Sequence, residues 1–261
     1  MPETVSVSMR RKRKGVLIDY ELQPEVYFVF RDRDCRNRAS GGCCMPLIEL
    51  QFDRKKHVYN DSDLSELLRK AVQFFNGTPV LQLPLKEKFE GAGIYAIYYK
   101  GKDGLYAPYG KIINAYAYNE PIYVGKAEPE GKRQGRALVQ KAGTKLYSRI
   151  REHVRSICAV SGLKIEDFCC RFVICEGDTV TMIPAFEAAL TSKFRPLWNT
   201  FVDGFGNHDP GRGRLSGVRS MWDTLHRGRQ FAENLPDNPV SVKSIKLRIK
   251  DFFVSRAPYY P

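Results

Sequence analysis

The feature that most constrains the fold is a pair of short runs rich in β-branched and aromatic residues. One run is GIYAIYY at residues 93–99, and the other is PIYVG at residues 121–125. Such runs predict two strands that pair with each other. The connection at 101–120 contains Gly and Pro and is too long for a tight hairpin, so we predict a protruding loop there. Strand pairing would bring Tyr95 and Tyr123 side by side.

The segments around these runs show helical and strand patterns in turn. Residues 61–77 and 144–157 carry apolar side chains at helical spacing. Residues 168–175, FCCRFVIC, are typical of a buried strand. A further helix is predicted at 182–194, where Pro184 is tolerable because it falls in the first turn. Strands and helices in this order predict an α+β fold.

Net charge narrows the class of partner. The chain has 261 residues and carries 42 Lys and Arg against 29 Asp and Glu, which leaves a formal charge of +13. Lysine and arginine displace condensed counterions from phosphates, so the excess favours a nucleic acid over the alternative of a merely soluble basic protein. No apolar run is long enough to cross a bilayer, and no secretory signal is recognisable. We therefore expect a cytoplasmic protein with no membrane partner.

The two ends of the chain differ in composition from the middle. Residues 1–14 include a basic run and are expected to form a disordered tail. Residues 15–261 are expected to form one domain, because no strong linker interrupts them. From residue 203 the chain is dense in Gly and Arg, and residues 242–254 form a basic amphipathic segment. We expect these C-terminal residues to form an extension that binds the nucleic acid.

The cysteines give a weak signal. Seven are present, none of them in a CxxC pair. Cys169 and Cys170 fall in the predicted buried strand, which favours reduced thiols in a cytosolic protein. A metal site near Cys35, Cys43 and Cys44 is the alternative that the sequence leaves open.

The order of the elements and of certain polar residues identifies a family. Arginine and histidine stand four residues apart on one predicted helix, a glutamate follows on the next helix, and an asparagine comes after it. With the two aromatic runs, this order resembles the GIY-YIG nuclease superfamily over about residues 93–200. The matching positions are GIY at 93–95, YVG at 123–125, Arg149, His153, Glu187 and Asn199.

The resemblance implies a fold and a hydrolytic reaction. The implied fold is a core of about residues 91–200 with a small, mainly antiparallel three-stranded sheet flanked by helices. Glu187 would bind one Mg²⁺ per active site, with Mn²⁺ as a substitute, because a hard cation that keeps several waters needs few carboxylates. Arg149 would bind the scissile phosphate. The implied reaction is hydrolysis of a phosphodiester bond.

The resemblance also implies how protons move. Tyr95 would take the proton of the attacking water, which requires that nearby cations such as Lys126 or the metal lower its pKa. Tyr123 would orient the water or a phosphate oxygen, and His153 would relay a proton or bond the phosphate. Asn199 would hold the site by hydrogen bonds. Whether Tyr95 or His153 finally takes the proton stays open.

Further likeness favours one branch of the superfamily. The long connection between the tyrosines, the stretch YVGKAEPEGKRQGR and the Gly- and Arg-rich tail resemble the type II restriction endonucleases that recognise CCGCGG. A palindromic site implies double-stranded DNA bound by a homodimer or tetramer. The bacterial host would also need a cognate DNA methyltransferase. Candidate DNA-binding residues, for base reading or for phosphate contact, are Lys132, Arg133, Arg136, Arg212 and Arg214.

Three alternatives remain at this stage. A repair-type nuclease of the same superfamily would act on distorted DNA and ignore unmodified sites. A catalytically silent DNA-binding protein with the same fold would lack the Glu, Arg or Tyr, all of which this chain has. An RNA-binding module rests on charge alone, because no RNP-like pattern supports it.

Overall fold

The chain divides into two compact units, Met1–Asn60 and Asp61–Pro261. In the first unit, strands β1 (Ser8–Arg13) and β2 (Val16–Glu21) pair antiparallel. Strand β1 lies within the segment that was expected to be a tail, and the division into a tail of residues 1–14 and one domain of residues 15–261 stays a prediction. A basic run carries no local signal that separates a solvated tail from a strand. This computed structural model describes residues 8–13, 16–21, 52–129, 143–207 and 217–256.

A four-stranded antiparallel sheet forms the centre of the second unit. Three of its strands confirm the sequence-based predictions, and the fourth, Leu81–Gln82, adds an edge that was not predicted. That strand is two residues long and exposed, so it has no periodicity to recognise. The spatial order is β3-β6-β4-β5, with β3 at Leu81–Gln82, β4 at Ala92–Tyr99, β5 at Tyr123–Ala127 and β6 at Phe168–Cys175.

Helices cover both faces of this sheet. The three longer predicted helices are confirmed to within two residues at each end, and Pro184 does lie in the first turn of its helix. The predicted amphipathic C-terminal segment is also helical. The helices are α1 (Ser62–Gly77), α2 (Lys145–Cys158), α3 (Ile183–Phe194), α4 (Leu197–Thr200), α5 (Met221–Leu225), α6 (Gln230–Glu233) and α7 (Val242–Arg256).

Strand β4 is buried along its whole length, because it separates two hydrophobic clusters. Its side chains alternate between the two faces of the sheet. Ile94, Ala96 and Tyr98 join a cluster with α1 and α3. The other face of β4 carries Tyr95, Ile97 and Tyr99, which join a larger cluster with residues of α2, α4, α5 and α7.

The connection between β4 and β5, which was predicted to protrude, is partly packed into the core and partly exposed. It includes a π-helical turn at Tyr109–Ile113, and Tyr106 is buried beside it. The Tyr109 ring lies 5.3 Å from the ring of Phe253 on α7. Tyr109 thus packs against a helix from the far end of the chain, whereas Tyr116 in the same connection is fully exposed. Local turn signals could not indicate this packing.

Two motif glycines make room for close approaches. A Cβ atom on Gly93 would lie 2.0 Å from the Val173 carbonyl oxygen on β6. A Cβ atom on Gly125 would lie 2.5 Å from the Tyr95 hydroxyl oxygen. Both distances are too short for any side chain, so Gly93 permits the strand pairing and Gly125 the position of the tyrosine hydroxyl.

Replacing Gly93 with alanine should lower the free energy of unfolding by about 1–3 kcal/mol or more, because the new methyl group overpacks a backbone contact that cannot yield. Urea denaturation of the purified variant measures the loss. The matched control is Gly77→Ala at the end of α1, where no atom lies within 4 Å of the new Cβ. Equal denaturation midpoints for Gly93→Ala and the unmodified protein would contradict the prediction.

Candidate active site

The two motif tyrosines meet on one face of the sheet. In the β4–β5 register, Tyr95 lies opposite Gly125, and Ile97 lies opposite Tyr123. The tyrosines are therefore diagonal neighbours, and their ring centroids are 6.2 Å apart. The predicted side-by-side placement is confirmed.

Helix α2 adds a histidine to this pair. His153 is buried, and its Nε2 atom lies 2.5 Å from the Tyr95 hydroxyl oxygen. Its ring is stacked on the Phe205 ring at 4.5 Å and lies 5.0 Å from the Tyr123 ring. Tyr95, Tyr123 and His153 form one aromatic and hydrogen-bonded cluster, and a proton can pass along the Tyr95–His153 contact.

Burial is the main influence on the pKa of Tyr95 in this structure. Burial raises its pKa well above the ordinary value, and Tyr123 beside it raises the pKa further, whereas Arg149 opposes the shift. Burial also raises the pKa of Tyr123, again against the effect of Arg149. Both tyrosines therefore keep their protons at neutral pH in this state.

Lys126 and Glu187 form an ion pair at the site. The ammonium nitrogen of Lys126 on β5 lies 2.8 Å from Oε2 of Glu187 on α3, and both side chains are partly exposed. Lys126 and the metal were the cations expected to lower the Tyr95 pKa, and in this structure the Arg149 guanidinium lowers it. Lys126 instead neutralises the carboxylate that was assigned to the metal.

These residues line a cleft of about 590 Å³, large enough for a phosphate group and its hydration. Tyr123, Lys126, Arg149 and Glu187 all face it. A second cleft, of about 700 Å³, lies on the other side of Arg149 and is lined by His153. Arg149 thus borders both clefts, while Tyr95 is fully buried between the residues that face them.

Hydrogen bonds to Glu152 and Gly206 help to hold Arg149 in place. One guanidinium nitrogen donates to Oε2 of Glu152 at 2.8 Å, one turn along α2. Another donates to the carbonyl oxygen of Gly206 at 2.8 Å. The side chain retains 18% exposure, so a phosphate oxygen in either cleft can reach it.

Asn199 supports the site through the backbone. Its amide oxygen accepts from the Val124 N–H at 2.8 Å, and its amide nitrogen donates to the Val124 carbonyl at 2.8 Å. Strand β5 is an edge of the sheet, so these two backbone groups have no strand partner on that side. Asn199 therefore holds the strand that carries Tyr123 and Lys126, as a residue that supports the site should.

The turn at residues 204–207 was not predicted to belong to the site. Phe205 and Gly206 belong to a Gly-rich stretch with no helical or strand period. The structure places Phe205 on the His153 ring and the Gly206 carbonyl on Arg149. All five proposed DNA-binding residues lie outside the described part of the chain: Lys132, Arg133, Arg136, Arg212 and Arg214.

Comparison with known proteins decides the family. The model of the Eco29kI GIY-YIG domain, a restriction endonuclease family, matches residues 87–253. The chain belongs to this family. The match extends past residue 200 through most of α7, so the C-terminal helices are part of the Eco29kI-type GIY-YIG domain itself. No curated protein matches the chain. Within the described residues, no helix is long and apolar enough to span a membrane.

The donor set of this GIY-YIG domain suits a hard cation with few protein ligands. Glu187 presents a carboxylate to the cleft, where the Lys126 ammonium already compensates its charge. In the part of the chain that the structure describes, no three His, Cys, Asp or Glu side chains cluster as a metal cage. A divalent cation at Glu187 would then keep most of its waters, as Mg²⁺ commonly does.

Replacing Asn199 with aspartate should lower the free energy of unfolding by about 1–3 kcal/mol, because a carboxylate cannot donate to the Val124 carbonyl. The variant should also lose DNA cleavage, since β5 carries Tyr123 and Lys126. Urea denaturation and a cleavage assay measure the two effects.

The matched control for this prediction is Asn114→Asp. Asn114 also bridges backbone groups with its amide, donating to the Tyr99 and Glu120 carbonyls and accepting from the Glu120 N–H. It should lose similar stability and retain cleavage when assayed well below its melting temperature. Full cleavage by Asn199→Asp would contradict the assigned role.

Proposed function

We propose that this protein is a type II restriction endonuclease that hydrolyses phosphodiester bonds in double-stranded DNA at a short palindrome. The observation that carries the proposal is the convergence of Tyr95, Tyr123, Arg149 and His153 beside the Glu187 carboxylate, within a domain of restriction endonucleases. CCGCGG is the proposed palindrome, from the sequence resemblance. A homodimer or tetramer in the bacterial cytoplasm, with a cognate methyltransferase to protect the host DNA, completes the proposal.

Glu187 would hold one Mg²⁺, which when bound supplies a Lewis acid for the phosphate and for the leaving oxygen. The Lys126 ammonium binds one oxygen of this carboxylate. When the metal binds, the ammonium would release that oxygen or share it with the metal. After such a change, the ammonium remains in the cleft and can donate to a phosphate oxygen.

Arg149 would bind the scissile phosphate. Its bonds to Glu152 and Gly206 hold the guanidinium before any substrate arrives. A preorganised cation stabilises the negative charge that develops on the phosphoryl oxygens without further reorganisation. The permanent charge of arginine makes this contribution independent of pH over the working range.

The proton of the attacking water would leave through the tyrosines to His153. Tyr123 faces the cleft and therefore meets the water first. Tyr95 lies behind it with a raised pKa, so it acts as a link that gives its own proton to His153 as it receives another. His153 lines the second cleft, from which the proton can reach solvent. In this scheme His153, rather than Tyr95, is the final acceptor.

The experiment that tests the function is digestion of an unmethylated plasmid of known sequence, with Mg²⁺ and with EDTA. We expect discrete fragments that require Mg²⁺ and whose sequenced ends map to one palindrome. Glu187→Gln should abolish cutting, whereas Glu128→Gln, an isosteric change in the same cleft, should retain it. Cutting only of damaged duplexes would establish the repair-type alternative, and binding without cutting would establish a silent DNA-binding protein.

A second test addresses the proton path. His153→Gln should lower kcat by roughly 10²–10⁴-fold, because glutamine can accept a hydrogen bond but cannot take up the proton. DNA binding should stay close to that of the unmodified protein, which gel-shift titration in EDTA measures.

The chain offers a close control for the His153 variant. His226 is also buried, its Nε2 atom lies 2.6 Å from the Tyr106 hydroxyl oxygen, and burial lowers its pKa to about 4. His226→Gln removes the same kind of histidine–tyrosine contact from the same hydrophobic core, and His226 does not line the cleft at Glu187. The proposed proton path through His153 would be contradicted if both variants retained cleavage or if both lost it equally.

A further inference from the structure

A buried ion pair lies behind the turn that contacts Arg149. Arg229 donates from Nε to Oδ1 of Asp223 at 2.6 Å and from Nη2 to Oδ2 at 2.7 Å. The two side chains are only 4% and 2% exposed. The guanidinium also lies over the Trp222 ring at 4.6 Å. Neither Arg229 nor Asp223 is among the residues that the family resemblance assigns to the reaction.

The remaining donors of Arg229 converge on one short turn. Nη2 donates to the Gly204 carbonyl at 2.8 Å, and Nη1 donates to the carbonyls of Phe205 at 3.1 Å and Asn207 at 3.2 Å. The fourth carbonyl of the turn, that of Gly206, accepts from Arg149 at 2.8 Å. Two arginines therefore hold the same four residues, one from behind and one at the active site.

The turn also touches the other members of the site. Phe205 is stacked on His153, and its ring lies 4.9 Å from the Tyr123 ring. A Cβ atom on Gly206 would lie 2.4 Å from the Tyr123 hydroxyl oxygen, so the turn backbone runs directly against that group. A small displacement of residues 204–207 would move the surroundings of Arg149, His153 and Tyr123 together.

The Asp223 side chain, which binds Arg229, is itself held by hydrogen bonds. Asp223 accepts a hydrogen bond from the Ser220 hydroxyl at 2.7 Å, and its N–H donates back to that oxygen at 3.1 Å. Gly204 has a φ of +107°, and a Cβ there would lie 2.0 Å from the Ser220 Oγ atom. Glycine is needed at this position both for its backbone conformation and for the approach to α5. Helix α5 and the turn are thus locked together.

We propose that Arg229, oriented by Asp223, is a positioning residue for phosphodiester hydrolysis. It fixes the turn at 204–207 and, through the turn, the guanidinium of Arg149 and the ring of His153. The proposal rests on the proposed function for the reaction that it serves. Arginine suits this role because its planar fork can bind a carboxylate and several carbonyls at once, which a lysine ammonium cannot.

The test compares Arg229→Lys with Arg256→Lys. Lysine at 229 keeps a positive partner for Asp223, so the buried carboxylate is not left unpaired. Arg256 is the matched control, because it also binds one carboxylate, that of Glu120, and two carbonyls, those of Phe194 and Arg195. It likewise lies over an aromatic ring, that of Phe252 at 4.4 Å.

We expect Arg229→Lys to lower kcat for Mg²⁺-dependent DNA cleavage on the order of 10- to 100-fold, because a small misplacement of a catalytic group has an effect of this size. KM for the DNA should change by less than about twofold, since the loss falls on the transition state. Arg256→Lys should retain kcat at a comparable decrease in melting temperature. Amide hydrogen exchange of peptides from residues 201–207 should be faster in Arg229→Lys and unchanged in Arg256→Lys.

The outcomes separate the two proposals. Unchanged kcat and unchanged exchange in Arg229→Lys would overturn the positioning role. Equal losses of kcat in the two lysine variants would also overturn it, because the effect would then follow general destabilisation. If the unmodified protein cuts no DNA, the proposed function fails, and the exchange comparison alone still decides whether Arg229 holds the turn.

Discussion

Burial of β4 on both faces is the constraint on which the rest of the second unit depends. β4 is buried on both faces, so a shift of its register by one residue would turn each of its side chains from one hydrophobic cluster to the other. Its register therefore places Tyr95 towards α2 and Tyr98 towards α1 and α3. Every other group of the site is located relative to Tyr95, and the glycine at position 93 is there because β6 approaches this strand too closely for a side chain.

Strand β5 shows how the same sheet produces an accessible site. It pairs with β4 on one side and is an edge on the other, so the backbone of Val124 needs a partner that no strand supplies. Asn199 supplies both bonds. The edge position also lets the Lys126 side chain reach Glu187 across the cleft. Tyr95 on β4 is completely enclosed, whereas Tyr123 on β5 is 8% exposed and lines the cleft.

In the resting site the two tyrosines are protonated, and the charged side chains beside them are paired. The pKa values of Tyr95 and Tyr123 are raised by burial, so neither hydroxyl ionises at neutral pH before a further positive charge or a substrate arrives. Glu187 is compensated by Lys126, and Arg149 is held by Glu152 and Gly206.

Part of this site could be predicted from the sequence, because the residues concerned lie at characteristic spacings within single elements. The strand pair, the helix that carries Arg149 and His153, and the helix that carries Glu187 were all predicted with nearly correct bounds. The two-residue strand β3, the partly buried insertion and the turn at 204–207 were not. Their placement depends on contacts with segments distant in the chain, which leave no local period.

The family, the sign of the charge and the identity of the polar residues at the motif positions follow from the amino-acid sequence alone. The neighbours of these residues are known only from the fold: Lys126 contacts Glu187, Arg149 lowers the pKa of Tyr95, and the turn at 204–207 lies between Arg149 and the buried Arg229. The physical reason is that a side chain's pKa and position depend on burial and on charges within a few ångströms, and such neighbours come from any part of a folded chain.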